Sequence, residues 1–577
     1  MEPIKTPIQE VSNPQPVFSS ADNVPWGVPK EAEAPKAQKI NPLFPFMAAG
    51  SLIYAFFFTL FLYKNNSGIT YPFFVGGTCL FFCFFLKKSG TAVKKFSVFI
   101  MASLLLLGIS TCMTDSWVLH MFNIMAIFCL FFYLFLHTLY EDKSWGLGKY
   151  IGAIFNVVFS SLLYLFTPLT DFFAYNKERK ERQNKPEGKT KYVIFGILIA
   201  LPLLFVIVLL LGSADAVFGN LVDELFSFEL DFGEHFSGIC FLFLFAFFAS
   251  YCIMYRLSVH DIAEETPDKR VAEPLIAITF TGLLSVVYAV FCFIQIVYLF
   301  FGYGTLPENY TYAEYAREGF FQLVFVCIIN LSLVLLCRKY FRESKVLKGI
   351  LTFISLCTYI MIASSAYRML LYIDVYYLTF LRVFVLWALV VIFLLMSGAL
   401  ITIYKEDFPL TKYCVITVTV FYLIFSFAKP DYFIARYNLS HALTATEIRE
   451  RREEGTYYDV NCFRDFYYLE NLSMDAAPAI FAMADELEYG RHVEGEYNNH
   501  RWFYYYADKI VSYSHEEGKQ ISHAETGDAL ITHLCKVQKV SFRKYNFARQ
   551  KAYRLYTKYY NSHEDFADLI SSFVYDI

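Results

Sequence analysis

Seven charged residues, each close to the end of a long apolar segment, are the side chains of this sequence best placed to bind a ligand. They are Asp215, Arg317, Glu318, Arg368, Asp374, Arg382 and Arg436. Arginine makes paired hydrogen bonds to carboxylates and phosphates, so a cluster of this composition would suit an anionic lipid headgroup or polymer. The same charges would also serve as internal ion pairs that fasten loops to an apolar bundle, because arginines are common at the ends of helices in membranes. The sequence therefore predicts an outer-face charge cluster and leaves its role, binding or structural, open.

The other reactive side chains do not form a recognisable catalytic or metal-binding pattern. Eleven of the thirteen cysteines lie in or beside apolar segments, and no Cys-x-x-Cys pair occurs. His120 and His137 lie near opposite ends of one apolar segment without a paired acid, which indicates interfacial histidines. Residues 64–70, the first loop expected to face outward, hold no carboxylate that a membrane glycosyltransferase would need. We therefore predict no catalytic residue, no metal ion and no cofactor.

The elements that must position the charged residues are membrane-spanning helices. Of 577 residues, 56% are hydrophobic and only 18% are charged, whereas soluble domains are about 25% charged. Mean hydropathy is +0.41. Residues 192–213 and 236–255 contain no charge over a length that crosses the ~30 Å hydrocarbon core of a membrane. The sequence predicts an all-α, polytopic transmembrane bundle that lies in a lipid bilayer, and the net charge of -4 gives no indication of a nucleic-acid partner.

Eleven segments are long and apolar enough to be spans. They are residues 44–63, 69–86, 96–114, 117–140, 191–212, 236–255, 275–302, 315–337, 346–366, 380–404 and 411–428. A twelfth apolar stretch, residues 150–174, contains Asn156, Pro168 and several hydroxyl side chains, which weaken membrane insertion. Because a crossing there would also place four upstream lysines outside, we predict that this stretch is interfacial or re-entrant.

The distribution of basic residues predicts the orientation and the domains. With eleven spans, 27 lysines and arginines fall on one side and four on the other, and the basic side of a membrane protein is cytoplasmic. Residues 1–43 are expected to be a disordered cytoplasmic arm, and residues 44–428 the transmembrane bundle. Residues 429–577 hold 18 basic and 23 acidic residues and are expected to form a soluble, extracytoplasmic helical domain. The N-terminus is therefore predicted inside, and the C-terminus outside, a plasma membrane.

Five blocks of the sequence resemble blocks that recur in a family of bacterial membrane proteins. They are SADAVF (213–218), EYAREGFFQL (314–323), YRMLLYIDVYYLTFLR (367–382), IARYN (434–438) and DFYYLENLSMDAAPAI (465–480). Over roughly residues 190–480 the chain is similar to proteins grouped as domain of unknown function 4173, which is related to group 4153. The family usually has glycine where this chain has Tyr377. The resemblance implies a bacterial plasma-membrane location and no particular activity.

Three functional interpretations remain, each from a different class. The leading one is an envelope sensing, scaffolding or docking protein whose outer face binds an envelope protein, an anionic lipid or a polymer. The second is a transporter or flippase for an uncharged or lipid-linked substrate, although no ionisable side chain lies mid-span. The third is a membrane transferase. A deep hydrophilic cavity between spans would favour transport, whereas a solid bundle capped by the C-terminal region would favour docking.

Overall fold

The structure is a computed structural model, and its described part consists of helices joined by short loops. It describes residues 43–65, 67–182, 233–259, 262, 270–297, 312–441, 468–483, 502–503, 505–507, 509–510 and 544–562. The helices up to residue 428 are α1 (Phe44–Leu62), α2 (Thr70–Lys88), α3 (Lys95–Met113), α4 (Trp117–Leu139), α5 (Leu147–Leu163), α6 (Thr167–Arg182), α7 (Gly233–Val259), α8 (Pro274–Gln295), α9 (Tyr312–Tyr340), α10 (Lys345–Tyr376), α11 (Phe380–Tyr404) and α12 (Leu410–Ala428). The C-terminal part adds α13 (Pro430–Ser440), a short 3-10 helix (Met474–Ala476), α14 (Ala477–Met483) and α15 (Phe547–Ser562).

Ten of these helices, α1 to α4 and α7 to α12, are long and apolar enough to cross a membrane. They confirm ten of the segments expected from the sequence, while residues 191–212 and the N-terminal arm up to residue 42 lie outside the described residues. Large apolar side chains point outward along these helices, with Ile53, Phe241 and Leu283 each at least 70% exposed. Because such surfaces are stable only against lipid, the chain is a multi-pass integral membrane protein.

Successive spans run in opposite directions, so their loops collect on two faces. The loops of the first face, the basic face, are residues 89–94, 140–146, 341–344 and 405–409. The loops of the second face, the tail face, are residues 63–69, 114–116 and 377–379, together with the junction at Lys429. On the basic face Thr411 donates a hydrogen bond to the Trp145 carbonyl at 3.0 Å. On the tail face Asn546 donates to the carbonyls of Ser67 and Thr114.

The described buried apolar side chains form three cores inside the bundle, the smallest of which lies around Met396 of α11. Helices α1 to α5, α7 and α12 pack around one core that contains the fully buried Tyr251. Helices α8 to α11 pack around a second core that contains Met361. The two halves meet where Phe122 of α4 stacks on Phe384 of α11, with ring centroids 5.2 Å apart.

Buried polar side chains join helices within each half. Asn123 of α4 is fully buried and accepts a hydrogen bond from the Tyr422 hydroxyl of α12 at 2.7 Å. Asn330 of α9 accepts one from Tyr288 of α8 at 2.6 Å and donates to Thr358 of α10 at 3.0 Å. Hydrogen bonds of this kind fix the rotation of neighbouring spans, because lipid offers no alternative partner for the side chain.

Helices α5 and α6 form a pair that is bent by 58° at a short break. Helix α5 begins in the basic face. After the bend, Asp171 of α6 accepts a hydrogen bond from Tyr251 of α7 at 2.7 Å. The ring of Tyr175 then lies 5.3 Å from that of Phe44, which is the basic-face end of α1. Both ends of the bent pair therefore lie toward the basic face.

The described residues of the C-terminal part pack into a helical core of their own. Ile434 of α13, Ile480 of α14 and Tyr556 of α15 are all buried in it. The core also contacts Leu378 and Phe380, which lie where α11 begins. The C-terminal region is therefore helical, as the sequence predicted, and its described part is docked on the tail face.

Candidate functional site

The most extensive polar site among the described residues joins the C-terminal part to the tail face. We call it the docking network. Its members are Thr114, Asp115, Lys429, Asp431, Ser473, Asp475, Lys509, Asn546 and Arg549. They come from the turn between α3 and α4, from the junction between α12 and α13, and from three separate stretches of the C-terminal part.

Asp475 occupies the centre of the docking network. Its side chain is 1% exposed and lies 2.9 Å from the Lys429 ammonium group. The carboxylate also accepts hydrogen bonds from the Thr114 hydroxyl and from the Asp115 backbone N–H, the latter at 3.1 Å. A buried carboxylate is stable only with such a set of donors, so Asp475 is held by groups from two parts of the bundle.

Lys429 is placed by a backbone conformation that breaks the chain between two helices. Its φ of 53° is left-handed and ends α12, and Pro430 directly begins α13. The ammonium group donates to the carbonyl of Met113, the last residue of α3, at 2.7 Å. A cation at a helix C-terminus complements the unbonded carbonyl groups there. Lys429 therefore binds the end of α3 and Asp475 at the same time.

Helix α15 is fixed to the bundle at its first turn. Asn546 precedes the helix, and its side-chain oxygen accepts the backbone N–H groups of Ala548 and Arg549, as an N-capping residue does. The amide nitrogen of the same side chain donates to the Thr114 carbonyl at 2.8 Å. In the first turn of α15, the Arg549 guanidinium lies 2.5 Å from the Asp115 carboxylate. The cap of α15 is thus also a contact with the membrane-embedded part.

Asp431 is a second buried acid of the docking network. Its carboxylate accepts hydrogen bonds from the Ser473 hydroxyl at 2.5 Å and the Ser473 backbone N–H at 3.3 Å. Burial raises the pKa of Asp431, and the nearby charge of Asp475 acts in the same direction. Burial also lowers the pKa of Lys509, whose ammonium group donates to the Leu472 carbonyl at 2.9 Å. Both groups are therefore held where their charged forms are disfavoured.

The four members of the predicted charge cluster whose side chains the structure describes lie in different environments. Arg368 is buried and donates to the side-chain oxygen of Gln295 at 3.2 Å, whereas Asp374 and Arg436 are exposed. No carboxylate–guanidinium ion pair joins any two of these four members, which include Arg382. The side chains of Arg317 and Glu318 and the whole of Asp215 lie outside the described part of the chain.

Arg382 stabilises the tight turn between α10 and α11. Tyr377 ends α10 with a φ of 60° and ψ of -174°, a region that glycine adopts far more readily than tyrosine. The Arg382 guanidinium donates to the carbonyls of Tyr376 and Tyr377 and lies 4.4 Å from the centre of the Tyr372 ring. The tight turn is therefore present without glycine, and this arginine is one of its supports.

A second polar site lies on the basic face and corrects the sequence interpretation of His137. The structure places its Nδ1 atom 2.5 Å from the Asp142 carboxylate, so the expectation of a histidine without a paired acid was wrong. The Tyr150 hydroxyl also donates to Asp142. Burial opposes ionisation of Asp142, but the hydrogen bonds from His137 and Tyr150 outweigh it and lower the pKa of Asp142. The pair was missed because Asp142 follows the end of the span.

Histidine, cysteine and acidic side chains, the usual metal ligands, occur throughout the described residues. Within them, no group of three or more histidine, cysteine or acidic side chains is arranged to hold a metal ion. The eleven cysteines that the structure describes are free. Most of them are buried within the bundle and form no disulfide.

The fold and the two polar sites define a multi-pass integral membrane protein with a docked C-terminal helical region. A family model described as Domain of unknown function (DUF4153) matches residues 101–483, and the chain belongs to that family. The match covers Asp115, Asp431 and Asp475 of the docking network. No curated protein and no solved structure matches the chain significantly.

Proposed function

We propose that this protein is a scaffold of the bacterial plasma membrane that holds its C-terminal helices at the extracytoplasmic surface as a docking platform for another envelope component. The docking network carries the proposal. It fixes the C-terminal helices to the turn between α3 and α4 and to the end of α12, on the face opposite the basic loops. A region attached in this way presents a fixed surface at a fixed distance from the membrane.

The proposed orientation follows from the basic residues. Where α2 ends and α3 begins, the basic face already carries four lysines: Lys87, Lys88, Lys94 and Lys95. On the tail face, by contrast, the sequence places only four basic residues in all of the loops between spans. Positively charged loops remain in the cytoplasm during insertion. The basic face is therefore assigned to the cytoplasm and the docked C-terminal helices to the outside.

The bent pair of α5 and α6 fits this orientation as a re-entrant element. Leu162, Leu163 and Phe166 lie at its bend and are 66%, 84% and 65% exposed. Apolar side chains so exposed need lipid around them, while both ends of the pair lie toward the basic face. The pair therefore enters the membrane from the cytoplasmic side and returns, without changing the orientation of later spans.

The polar groups of the docking network support attachment more than chemistry. The carboxylates of Asp475 and Asp431 already accept hydrogen bonds from groups of the chain itself. The transporter alternative would gain from a polar route through the bundle. The described contacts around Asn123 and between Phe122 and Phe384, which lie toward the tail face, are instead closely packed, which favours the scaffold.

The experiment uses the full chain in cells, with a peroxidase fused after residue 577 and a membrane-impermeant biotin-phenol probe. We expect labelling of a reproducible set of envelope proteins by the wild-type chain. Asp475→Ala, which removes the central carboxylate, should lose this set while remaining in the membrane at wild-type level. Asp374→Ala is the matched control, because it removes an exposed acid close to the same face and should retain the set.

Two results would contradict the proposal. An absence of labelling from the fused peroxidase would place the C-terminal region inside the cell. An identical set of neighbours for Asp475→Ala and wild type would show that docking of the C-terminal helices has no part in choosing them.

A further inference from the structure

A groove on the tail face lies between the start of α13 and the start of α15. We call it the tail-face groove. It is lined by the last residue of α12, the first turn of α13, the short 3-10 helix and the beginnings of α14 and α15. Its volume is about 210 Å³, which is below the ~300 Å³ at which sites for whole small molecules begin. The groove therefore suits one part of a larger molecule better than a complete soluble ligand.

One edge of the groove continues the lipid-facing surface of α12. Ile424, Phe427 and Ala428 share a face of that helix, because they are three and four residues apart. Ile424 is 59% exposed and Phe427 is 36% exposed, and apolar side chains so exposed on a span contact lipid. Ala428 also lines the groove. An acyl chain that lies against α12 therefore reaches the groove without leaving an apolar surface.

Apolar and aromatic side chains form much of the groove wall. Phe433 of α13 is 52% exposed, and the centre of its ring lies 5.4 Å from that of Tyr432. Both rings line the groove, together with the buried side chains of Met474 and Ala548. Tyrosine is enriched where the hydrocarbon core of a membrane meets the headgroups, because its ring is apolar and its hydroxyl is polar. The wall therefore has the composition of a lipid boundary.

Helix α15 brings a lysine to the same boundary. Asn546 fixes the start of this helix to carbonyl groups in the loops of the tail face. Phe547 follows directly and is 46% exposed, and Lys551 lies one turn later on the same exposed face. Four residues of α-helix span only about 6 Å, so the Lys551 backbone stays close to the loops that end the spans. Its ammonium group is thus placed at the level of lipid headgroups.

The charged side chains at the groove differ in whether they already have a partner. Lys429 lies 2.9 Å from Asp475, so that pair balances itself. Lys551 is exposed, and no carboxylate of the described residues lies within 4 Å of its ammonium group. On the opposite side, the exposed Arg436 lies 3.5 Å from the hydroxyl group of Tyr432. A phosphate oxygen at the groove can therefore reach Lys551 without breaking an ion pair within the described residues.

We propose that the tail-face groove binds an anionic phospholipid, with an acyl chain along α12 and the phosphate group at Lys551. The continuity of the groove with the exposed face of α12 accounts for the acyl chain. Lysine binds phosphate oxygens as a point charge, and arginine binds them through paired donors. The proposal concerns a lipid and does not rest on the envelope component that the docking platform would bind.

The test measures lipid binding to the purified full-length protein in a nonionic detergent by native mass spectrometry. The probes are dioleoylphosphatidylglycerol, which is anionic, and dioleoylphosphatidylcholine, which has the same acyl chains and no net charge. We expect wild type to retain phosphatidylglycerol preferentially. Lys551→Gln should weaken this binding about fivefold, the contribution of one basic residue close to a headgroup, and should leave phosphatidylcholine binding unchanged. Phe433→Gln places an amide in the apolar wall and should weaken binding of both lipids.

The matched control is Lys558→Gln. Lys558 is also exposed on α15, but it lies about two turns beyond Lys551 and outside the described lining of the groove. This variant should bind phosphatidylglycerol as wild type does. Size-exclusion profiles and thermal midpoints equal to those of wild type show that the variants fold.

Three results would overturn the proposal. Equal retention of the two lipids by wild type would show that the groove does not select an anionic headgroup. Equal weakening by Lys551→Gln and Lys558→Gln would show a diffuse attraction to the whole helix. Retention of neither lipid would leave the groove to a protein partner. Failure of the docking platform is distinguishable, because it would change the proteins labelled in cells and leave lipid binding in detergent intact.

Discussion

Replacing Asp475 with alanine is the sharpest perturbation of the docking network. The change removes the acceptor for the Thr114 hydroxyl and the Asp115 backbone N–H, and it removes the partner of the Lys429 ammonium. Because the Asp475 side chain is 1% exposed, water does not replace these contacts while the C-terminal helices remain docked.

The expected loss can be worked out from the environment of each partner. Breaking a buried ion pair by removing one partner costs about 3–5 kcal/mol. Lys429 is 29% exposed and keeps the Met113 carbonyl as an acceptor, so the lower end, about 3 kcal/mol, applies. That corresponds to a roughly 150-fold larger population of the undocked state. Asp475→Asn keeps an acceptor for the neutral donors and should lose less, about 1–2 kcal/mol.

Hydrogen exchange of the backbone amides in residues 474–483, measured in detergent by mass spectrometry, reports this local opening. In Asp475→Ala we expect the exchange of these amides to accelerate about 150-fold, because they are protected only while α14 is docked. The exposed Asp374→Ala should change it by no more than about twofold, as surface substitutions do. Exchange in Asp475→Ala within twofold of wild type would refute the assignment of this carboxylate as the centre of attachment.

Two further predictions concern other buried polar groups. Asp431 has a folded-state pKa raised above its usual 3.8, so its contribution to docking is fully present at low pH and is lost as the pH rises through the raised value. In Asp431→Asn, docking stability should therefore fall less as the pH rises. The same hydrogen-exchange experiment measures this, and a pH profile equal to that of wild type would contradict it. Asn123→Ala removes the bonds to Tyr422 and Ser426 and should lower thermal stability in detergent by about 1–3 kcal/mol. Ser332→Ala, an exposed control bonded only within its own helix, should have little effect, and equal melting of the two variants would show that the Asn123 contacts are not stabilising.

The membrane-embedded fold was largely predictable because its physical signal is local. Each span needs about 20 consecutive apolar residues to cross the lipid, so its signal lies in one continuous stretch of the sequence. The polar residues within 150–174 likewise distinguished this stretch from the spans, and the structure shows the bent pair of α5 and α6 there. The packing partners of the spans had no such signal, since any apolar helix face fits lipid as well as protein.

The sites were harder to predict because they join residues that are distant in sequence. Asp115 and Arg549 are separated by more than 400 positions, and each alone resembles an ordinary surface charge. Sequence reasoning gave weight to charges at the ends of spans, such as Arg368 and Arg382. Among the described contacts, Arg368 donates to the side chain of Gln295 on α8, and Arg382 contacts carbonyl and aromatic groups at the end of α10. A useful signal was available in Lys429-Pro430-Asp431, where a helix-starting proline follows a span directly.

The arrangement of α4 and α12 bears on whether the protein is a scaffold or a sensor. Helix α4 runs from the docking network to the His137–Asp142 pair, and α12 runs from the basic face back to Lys429. Asn123 joins the two helices between these ends through short hydrogen bonds to α12. A signal passing between the faces would need these helices to slide or rotate against each other, which would break contacts that lipid does not replace. Transmission requires an element with two stable arrangements, so α4 and α12 would have to exchange the Asn123 contacts for an equivalent set. The scaffold proposed above needs no such exchange, because it keeps the Asn123 contacts in place.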